Sequence, residues 1–332
     1  MRTATGVGSW PGTSPLEAAR TVLGELGSPP GLPHLVELPR RGPGSELVGR
    51  TAALLVELPV DLQPSGWRFV DHPGRDLERA ASMRSADLDA LAEAADGYVG
   101  PLKVQVCGPW TLASEVRLGR GERSVADRGA RRDLVESLAE GVRVHLGDIR
   151  RLVPGAEVVV QLDEPALSSV LLGGLRTQTG FGHLPAVEAA EVEQGLRTVL
   201  AAGRDAGAVR TAVHCCAADV PFSSILAAGT DALSVDLSLQ STRAWESIAV
   251  AVEAGVVLWA GAVAATGTAR TTAQVVDAVR TPWQQVGLPL AGLADVVLTP
   301  ACGLAGADPR QARAVLTRVV EAARALVDTA AG

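Results

Sequence analysis

Eight short apolar runs recur along the chain, each followed by a helix-like pattern or a long loop. They fall at about residues 3–8, 35–38, 102–107, 157–162, 209–214, 232–236, 256–261 and 295–299. Most are β-branched and lack strict alternation, as parallel strands buried on both faces require. The segments at 15–26, 87–95, 131–152, 186–206, 242–254, 272–286 and 309–330 are amphipathic and rich in Ala, Leu and Arg. Asp308-Pro309 gives the last of them an N-cap and a first-turn proline. Eight strand–helix repeats predict an α/β fold, a single (β/α)8 TIM barrel over residues 1–332. An open doubly wound sheet is the alternative. No Gly-x-Gly-x-x-Gly turn follows the first run, which weakens the dinucleotide-binding version of that sheet. Residues 39–87, rich in Gly, Pro and Arg, form an extended excursion with one expected helix at 46–58. Such excursions serve either as lids or as structural additions.

Composition removes several classes of function. The most apolar stretch, 256–263, is too short to span a bilayer, and the N-terminus lacks the apolar core of a signal peptide. No membrane partner and a cytoplasmic location are expected. The net charge is −7, and arginine pairs such as Arg131-Arg132 and Arg150-Arg151 read as solvated helix faces. Without a basic stripe, no nucleic-acid partner is expected. Cys107, Cys215, Cys216 and Cys302 are too few to staple a chain this long. In a reducing compartment they are metal ligands, reactive thiols or small buried residues.

The chemistry gathers at the ends of the runs. Val213-His214-Cys215-Cys216, Ser234-Val235-Asp236 and Pro300-Ala301-Cys302-Gly303 each close an apolar run with metal-binding side chains. On a strand, His214 and Cys216 share one face and Cys215 takes the other, so His214 and Cys216 are the candidate ligands. In a barrel these ends meet at the C-terminal mouth, where Asp236 and Cys302 would join them. One histidine, two cysteines and one carboxylate make a four-ligand shell suited to Zn2+. A buried cysteine pair with a satisfied core histidine is the blander reading of the same residues.

Longer motifs resemble a known family. Thr5-Gly6-Val7-Gly8-Ser9-Trp10-Pro11, Gln161-Leu162-Asp163-Glu164-Pro165-Ala166-Leu167, His214-Cys215-Cys216 and Thr299-Pro300-Ala301-Cys302-Gly303-Leu304 span nearly the whole chain. Together they resemble the catalytic C-terminal half of cobalamin-independent methionine synthase, in the uroporphyrinogen decarboxylase/methionine synthase barrel superfamily. The resemblance implies zinc held by His214, Cys216, Asp236 and Cys302, with Asp236 standing where the family has Glu. It implies that Gly8 and Ser9 hold the carboxylate of homocysteine and that Asp163 pairs with its ammonium group. The family's second ammonium-binding carboxylate has no clean match, and Glu37 or Glu46 could substitute. The folate side departs further: the family's pterin-facing tryptophan falls at Ser114, with Trp110 too early, and its folate-contacting Glu falls at Ser169. The proton-donating histidine is absent, since residues 262–272 contain none.

The expectation is a zinc-dependent methyltransferase acting on a small-molecule thiol, L-homocysteine, to give L-methionine. Its donor would be methyltetrahydrofolate or a methylcorrinoid, free or on a corrinoid protein. The eroded folate residues lean toward the corrinoid. A uroporphyrinogen decarboxylase-like enzyme and a zinc-binding relative without methyl transfer are the competing readings.

Overall fold

The structure, a computed structural model, describes residues 3–266 and 270–332. Its elements run β1 (Ala4–Thr5), α1 (Pro15–Leu26), β2 (Gly31–Leu32), α2 (Leu47–Ala52), β3 (Val60–Gln63), β4 (Gly66–Phe69) and α3 (Arg75–Ala94). There follow β5 (Gly100–Cys107), α4 (Pro109–Glu115), α5 (Arg128–Leu152), β6 (Ala156–Asp163), α6 (Leu167–Leu172) and α7 (Ala189–Asp205). The chain ends with β7 (Arg210–Cys215), α8 (Phe222–Ala227), β8 (Ala232–Asp236), α9 (Thr242–Glu253), β9 (Val257–Val263), α10 (Thr272–Gln285), β10 (Val297–Pro300) and α11 (Pro309–Ala330).

Eight parallel strands stand in the order β2-β1-β10-β9-β8-β7-β6-β5. The two ends of this sheet meet: Leu35 N donates to Lys103 O and Lys103 N to Pro33 O, both at 2.9 Å. That closure makes the TIM barrel and removes the open-sheet alternative. Each strand turns alternate residues outward, where Val104, Val106, Val160, Leu162, Val213 and Val235 join the helices in one continuous core. Inside the ring, Leu32, Val159, Ala212, Ala232, Trp259 and Val297 pack as a separate apolar plug toward the strands' N-terminal ends.

Three expectations need correction. The second strand lies at Gly31–Leu32, not 35–38. Beyond it the pairing continues only as single bridges, His34 to Lys103 and Glu37 to Ser9, because Pro33 has no N–H to carry a regular ladder. The expected helix at 46–58 is only α2, capped by the Glu46 side chain, which accepts from Gly49 N at 3.0 Å. The excursion also holds an antiparallel hairpin, β3–β4, and the first half of α3. That helix starts twelve residues before the expected 87, with Asp76 and Glu78 in its first turn (Arg75 against 87). Only Ala80, Asp87, Leu88, Ala90 and Leu91 of its residues are buried, so its apolar stripe is too thin to read. By contrast, α11 starts where Asp308-Pro309 indicated, with a reciprocal capping box between Asp308 and Gln311.

Trp259, 1% exposed, is the largest side chain of the inner plug. Trp259→Ala should cost about 3–5 kcal/mol by leaving a cavity that the ring cannot collapse. Urea unfolding monitored by far-UV circular dichroism would measure it.

Candidate active site

Toward the C-terminal ends of the strands the inward residues change from apolar to polar. Lys103 and Gln105 on β5, Gln161 and Asp163 on β6, His214 and then Cys216 at β7, and Ser234 and Asp236 on β8 follow the two-residue period of a strand. The register places Asp163 beside His214 and His214 beside Ser234.

Cys216 and Cys302 come together, their thiols sharing a hydrogen bond. The Cys302 thiol is drawn down to about 6, first by the Cys216 hydrogen bond and then, against burial, by the backbone N–H of Gly303. The Cys216 thiol is pushed well up, because it is the donor of the pair and is partly buried. Cys215 is fully buried on the opposite face, in the outer core. His214 is 4% exposed; burial, and secondarily the charge of Lys103, lowers it to about 4, so it is neutral. Its Nδ1 shares a 2.9 Å hydrogen bond with Ser234 Oγ. With Nδ1 as donor, Nε2 keeps its lone pair for a metal. Asp236 Oδ1 accepts from Ser238 N (2.8 Å) and Ser238 Oγ (2.6 Å). Among the described residues no three His, Cys, Asp or Glu side chains lie close enough to hold an ion as they stand. The fold therefore assembles the thiol pair but not the full four-residue shell. The donor set itself, two thiols and a neutral imidazole steadied by a hydroxyl, suits zinc.

The substrate-binding candidates surround this pair. Ser9 packs on the Cys302 turn: Leu304 N donates to Ser9 O at 2.9 Å, and a Cβ on Gly303 would sit 2.0 Å from Ser9 Oγ. Gly8 lies over Gln105, whose side chain is 2.7 Å from where a Gly8 Cβ would be. Gly8 O accepts from Glu37 N at 3.2 Å. Glu37 and Asp163 are each 5% exposed. Burial raises both carboxyls, and Glu37 adds to the rise at Asp163. Glu46 is spent elsewhere, on Gly44 N (2.7 Å), Gly49 N (3.0 Å) and Trp67 Nε1 (2.7 Å). Of the two acids left open by the sequence, Glu37 is the one that faces the barrel.

Lys103 was not anticipated. It is fully buried, and its Nζ donates to Val7 O (2.5 Å) and Gln161 Oε1 (2.7 Å). Gln161 Nε2 passes the contact on to Asp163 Oδ1 at 2.6 Å. Burial lowers the Lys103 ammonium to about 7, against the attraction of Asp163 and Glu37. The signal was present in Leu102-Lys103-Val104-Gln105-Val106, a strict polar/apolar alternation inside an apolar run.

At the folate-side positions, Ser114 is buried with its hydroxyl on Thr111 O (2.8 Å), and Trp110 is buried with Nε1 on Val192 O (2.9 Å). Trp110 packs against Gly195 of α7 in the outer layer, not in the mouth. Ser169 is half-buried on α6. The segment 262–272 lacks histidine, and its residues 267–269 lie outside the described ones. Glu164, beside Asp163, has a structural task. Its carboxylate accepts from Trp110 N (2.9 Å), Thr111 N (2.7 Å) and Thr111 Oγ1 (2.7 Å), tying the start of α4 to the end of β6.

The closed barrel, with its thiol pair and two buried carboxylates at the C-terminal mouth, defines a TIM-barrel enzyme of thiol chemistry. The family described as "Cobalamin-independent synthase, Catalytic domain" matches residues 1–325, and the chain belongs to it. Membership makes it a methyltransferase of the methionine synthase kind. No curated protein matches the chain in sequence. Among solved structures it is similar to a B12-independent methionine synthase from Shewanella sp. W3-18-1 in complex with selenomethionine. The TM-score is 0.63 at 15% identity, over 99% of this chain and 98% of that one, which is a likeness of fold.

Two outcomes follow from the geometry. In metal-free protein with chelator, iodoacetamide at neutral pH should modify Cys302 first, while buried Cys107 and Cys215 resist; peptide mass mapping reads the order. Burial lifts Glu164 from an ordinary 4.5 to about 7 in the folded state. Its stabilising contribution is therefore full below about pH 4.5 and lost as pH rises through about 7. Wild-type stability relative to Glu164→Gln should fall by about 3 kcal/mol across that window, measured by urea unfolding at each pH.

Proposed function

We propose that this enzyme transfers a methyl group to the sulfur of L-homocysteine, giving L-methionine, with zinc in the site and methyltetrahydrofolate as donor. The observation that carries the reading is the Cys216–Cys302 thiol pair set against Ser9, with two buried carboxylates alongside. His214, Cys216 and Cys302 would hold the metal. Asp236, whose Oδ1 accepts both Ser238 bonds, would be the fourth ligand. When bound, zinc supplies the positive charge that keeps the substrate sulfur ionised at neutral pH.

The protein's own groups do the orienting. Gly8 and Ser9 receive the substrate carboxylate. Glu37 and Asp163 receive its ammonium, which relieves the repulsion between two acids sharing a desolvated space. Lys103, through Gln161, braces Asp163 from below. Held in this way, the thiolate attacks the donor methyl in line. The new S–C bond forms as the old N–CH3 bond of the donor breaks; its electron pair stays on the donor nitrogen, which takes up one proton from solvent. The selenomethionine held by the Shewanella enzyme is the selenium counterpart of the proposed product.

The family's independence of cobalamin favours methyltetrahydrofolate, and the lean toward a corrinoid donor finds no support in it. The decarboxylase and the inactive zinc binder are likewise unsupported. With Ser114 buried and Trp110 facing outward, the pterin would rest on groups other than the family's tryptophan. A cytoplasmic location belongs to the same reading. All four cysteines are free thiols, and among the described residues no helix is long and apolar enough to cross a membrane.

The test is zinc analysis alongside transfer to homocysteine from methyltetrahydrofolate, its polyglutamate and methylcobalamin. About one zinc per chain and turnover with a folate donor are expected, by the logic of a single four-ligand site. Cys302→Ser and His214→Ala should lose the metal, whereas Cys215→Ser should keep it. Equal loss in Cys215→Ser, or turnover with methylcobalamin alone, would contradict the reading.

A further inference from the structure

We propose that Arg50, held from behind by Asp87, is a positioning residue: it fixes the Glu37 carboxylate in the geometry that receives the substrate's ammonium group. This rests on the reading of the site given above and extends it into the 39–87 excursion.

Arg50 lies on α2 and is 7% exposed; Asp87 lies on α3 and is 1% exposed. Arg50 Nη1 is hydrogen-bonded to Asp87 Oδ2. Arg41 Nη2 reaches the same carboxylate, 2.6 Å from Oδ1 and 2.8 Å from Oδ2. Arg50 Nε stands 3.9 Å from Glu37 Oε1, and Gln105 Nε2 donates to that same oxygen at 3.1 Å. A free guanidinium next to a buried carboxylate would close on it with two parallel hydrogen bonds and occupy both its oxygens. Asp87 prevents this by engaging the guanidinium first. The positive charge stays near enough to favour ionised Glu37, while the carboxylate keeps acceptor positions for a ligand.

The charges sort into two layers. Glu37 and Asp163 face the mouth with Lys103 beneath them, held by Val7 O and Gln161 Oε1; Arg50, Arg41 and Asp87 stand behind Glu37. A ligand ammonium completes the inner layer. The groups acting on Glu37 are Arg50 from α2, Asp87 from α3, Gln105 and Lys103 from β5, and Asp163 from β6.

The test compares L-methionine with 4-(methylthio)butanoate, the same molecule without its amino group, by calorimetric titration between pH 5 and 8. Neither needs a metal-held thiolate to bind. Arg50→Gln should weaken L-methionine about 10-fold and leave the des-amino compound within about 2-fold, the loss expected for one charge-assisted contact. Removing the cation raises the Glu37 pKa, so the acid limb of L-methionine binding should move to higher pH. Arg50→Lys should recover part of the affinity. Arg41→Ala, nearer the surface, should give a smaller loss in the same direction, and serves if the Arg50 variants fail to fold. Equal weakening of both compounds, no weakening of either, or an unmoved acid limb would overturn the proposal. Glu37→Gln separates the levels. If it leaves the preference for the amino compound intact, the ammonium reading falls and this proposal with it. If it abolishes the preference while Arg50→Gln does not, the role of Arg50 alone is refuted.

Discussion

Closure of the strand ring is the constraint on which the rest depends. Once the residues around Pro33 and Leu35 bond to Lys103, every second side chain of the sheet is enclosed away from water. A lysine, two carboxylates and a histidine placed there must satisfy one another, because a lone buried charge is far too costly. The result is a chain of contacts from Val7 O through Lys103 and Gln161 to Asp163, with Gln105 joining Glu37 to the same wall. Ring geometry and site electrostatics are thus one problem: the residue whose backbone closes the barrel carries the ammonium that balances its mouth.

The excursion outside the ring takes part in this balance. On its helix α2, Thr51 Oγ1 accepts from Cys107 N at 2.8 Å, and Arg50 is presented toward Glu37. The segment after α2 packs on α5, where Leu54 O lies 2.1 Å from the position of a Gly141 Cβ and Val56 O accepts from Ser137 Oγ at 2.8 Å. Glycine at 141 is what lets the backbone of the excursion come this close. A segment that looks like an insertion in the sequence is bound to the barrel on both its sides.

Much of this was legible in the residues. Parallel strands announce themselves by β-branched runs, and the His, Cys and Asp candidates stand at the ends of three of them. The His214/Cys216 face followed from strand periodicity alone, and Cys215 is indeed in the outer core. What the residues did not disclose was pairing across sequence distance. Glu37 and Glu46 look equivalent in the chain, and only the fold shows Glu46 consumed by Gly44, Gly49 and Trp67. The second strand was misjudged because Pro33 interrupts its ladder, and α3 because its apolar stripe is thin. Lys103 and Gln105 were passed over as part of an apolar run, although their alternation marked an inward polar face.

The packing of Gly303 against Ser9 ties two halves of the pocket into a single unit. One strand end offers the hydroxyl and the other offers the thiol, with no room between them for even a methyl group. A side chain at 303 would force the Ser9 hydroxyl to turn away from the thiol. A lineage of such enzymes that replaced Gly303 would therefore give up the hydroxyl's present aim along with the open space beside the thiol.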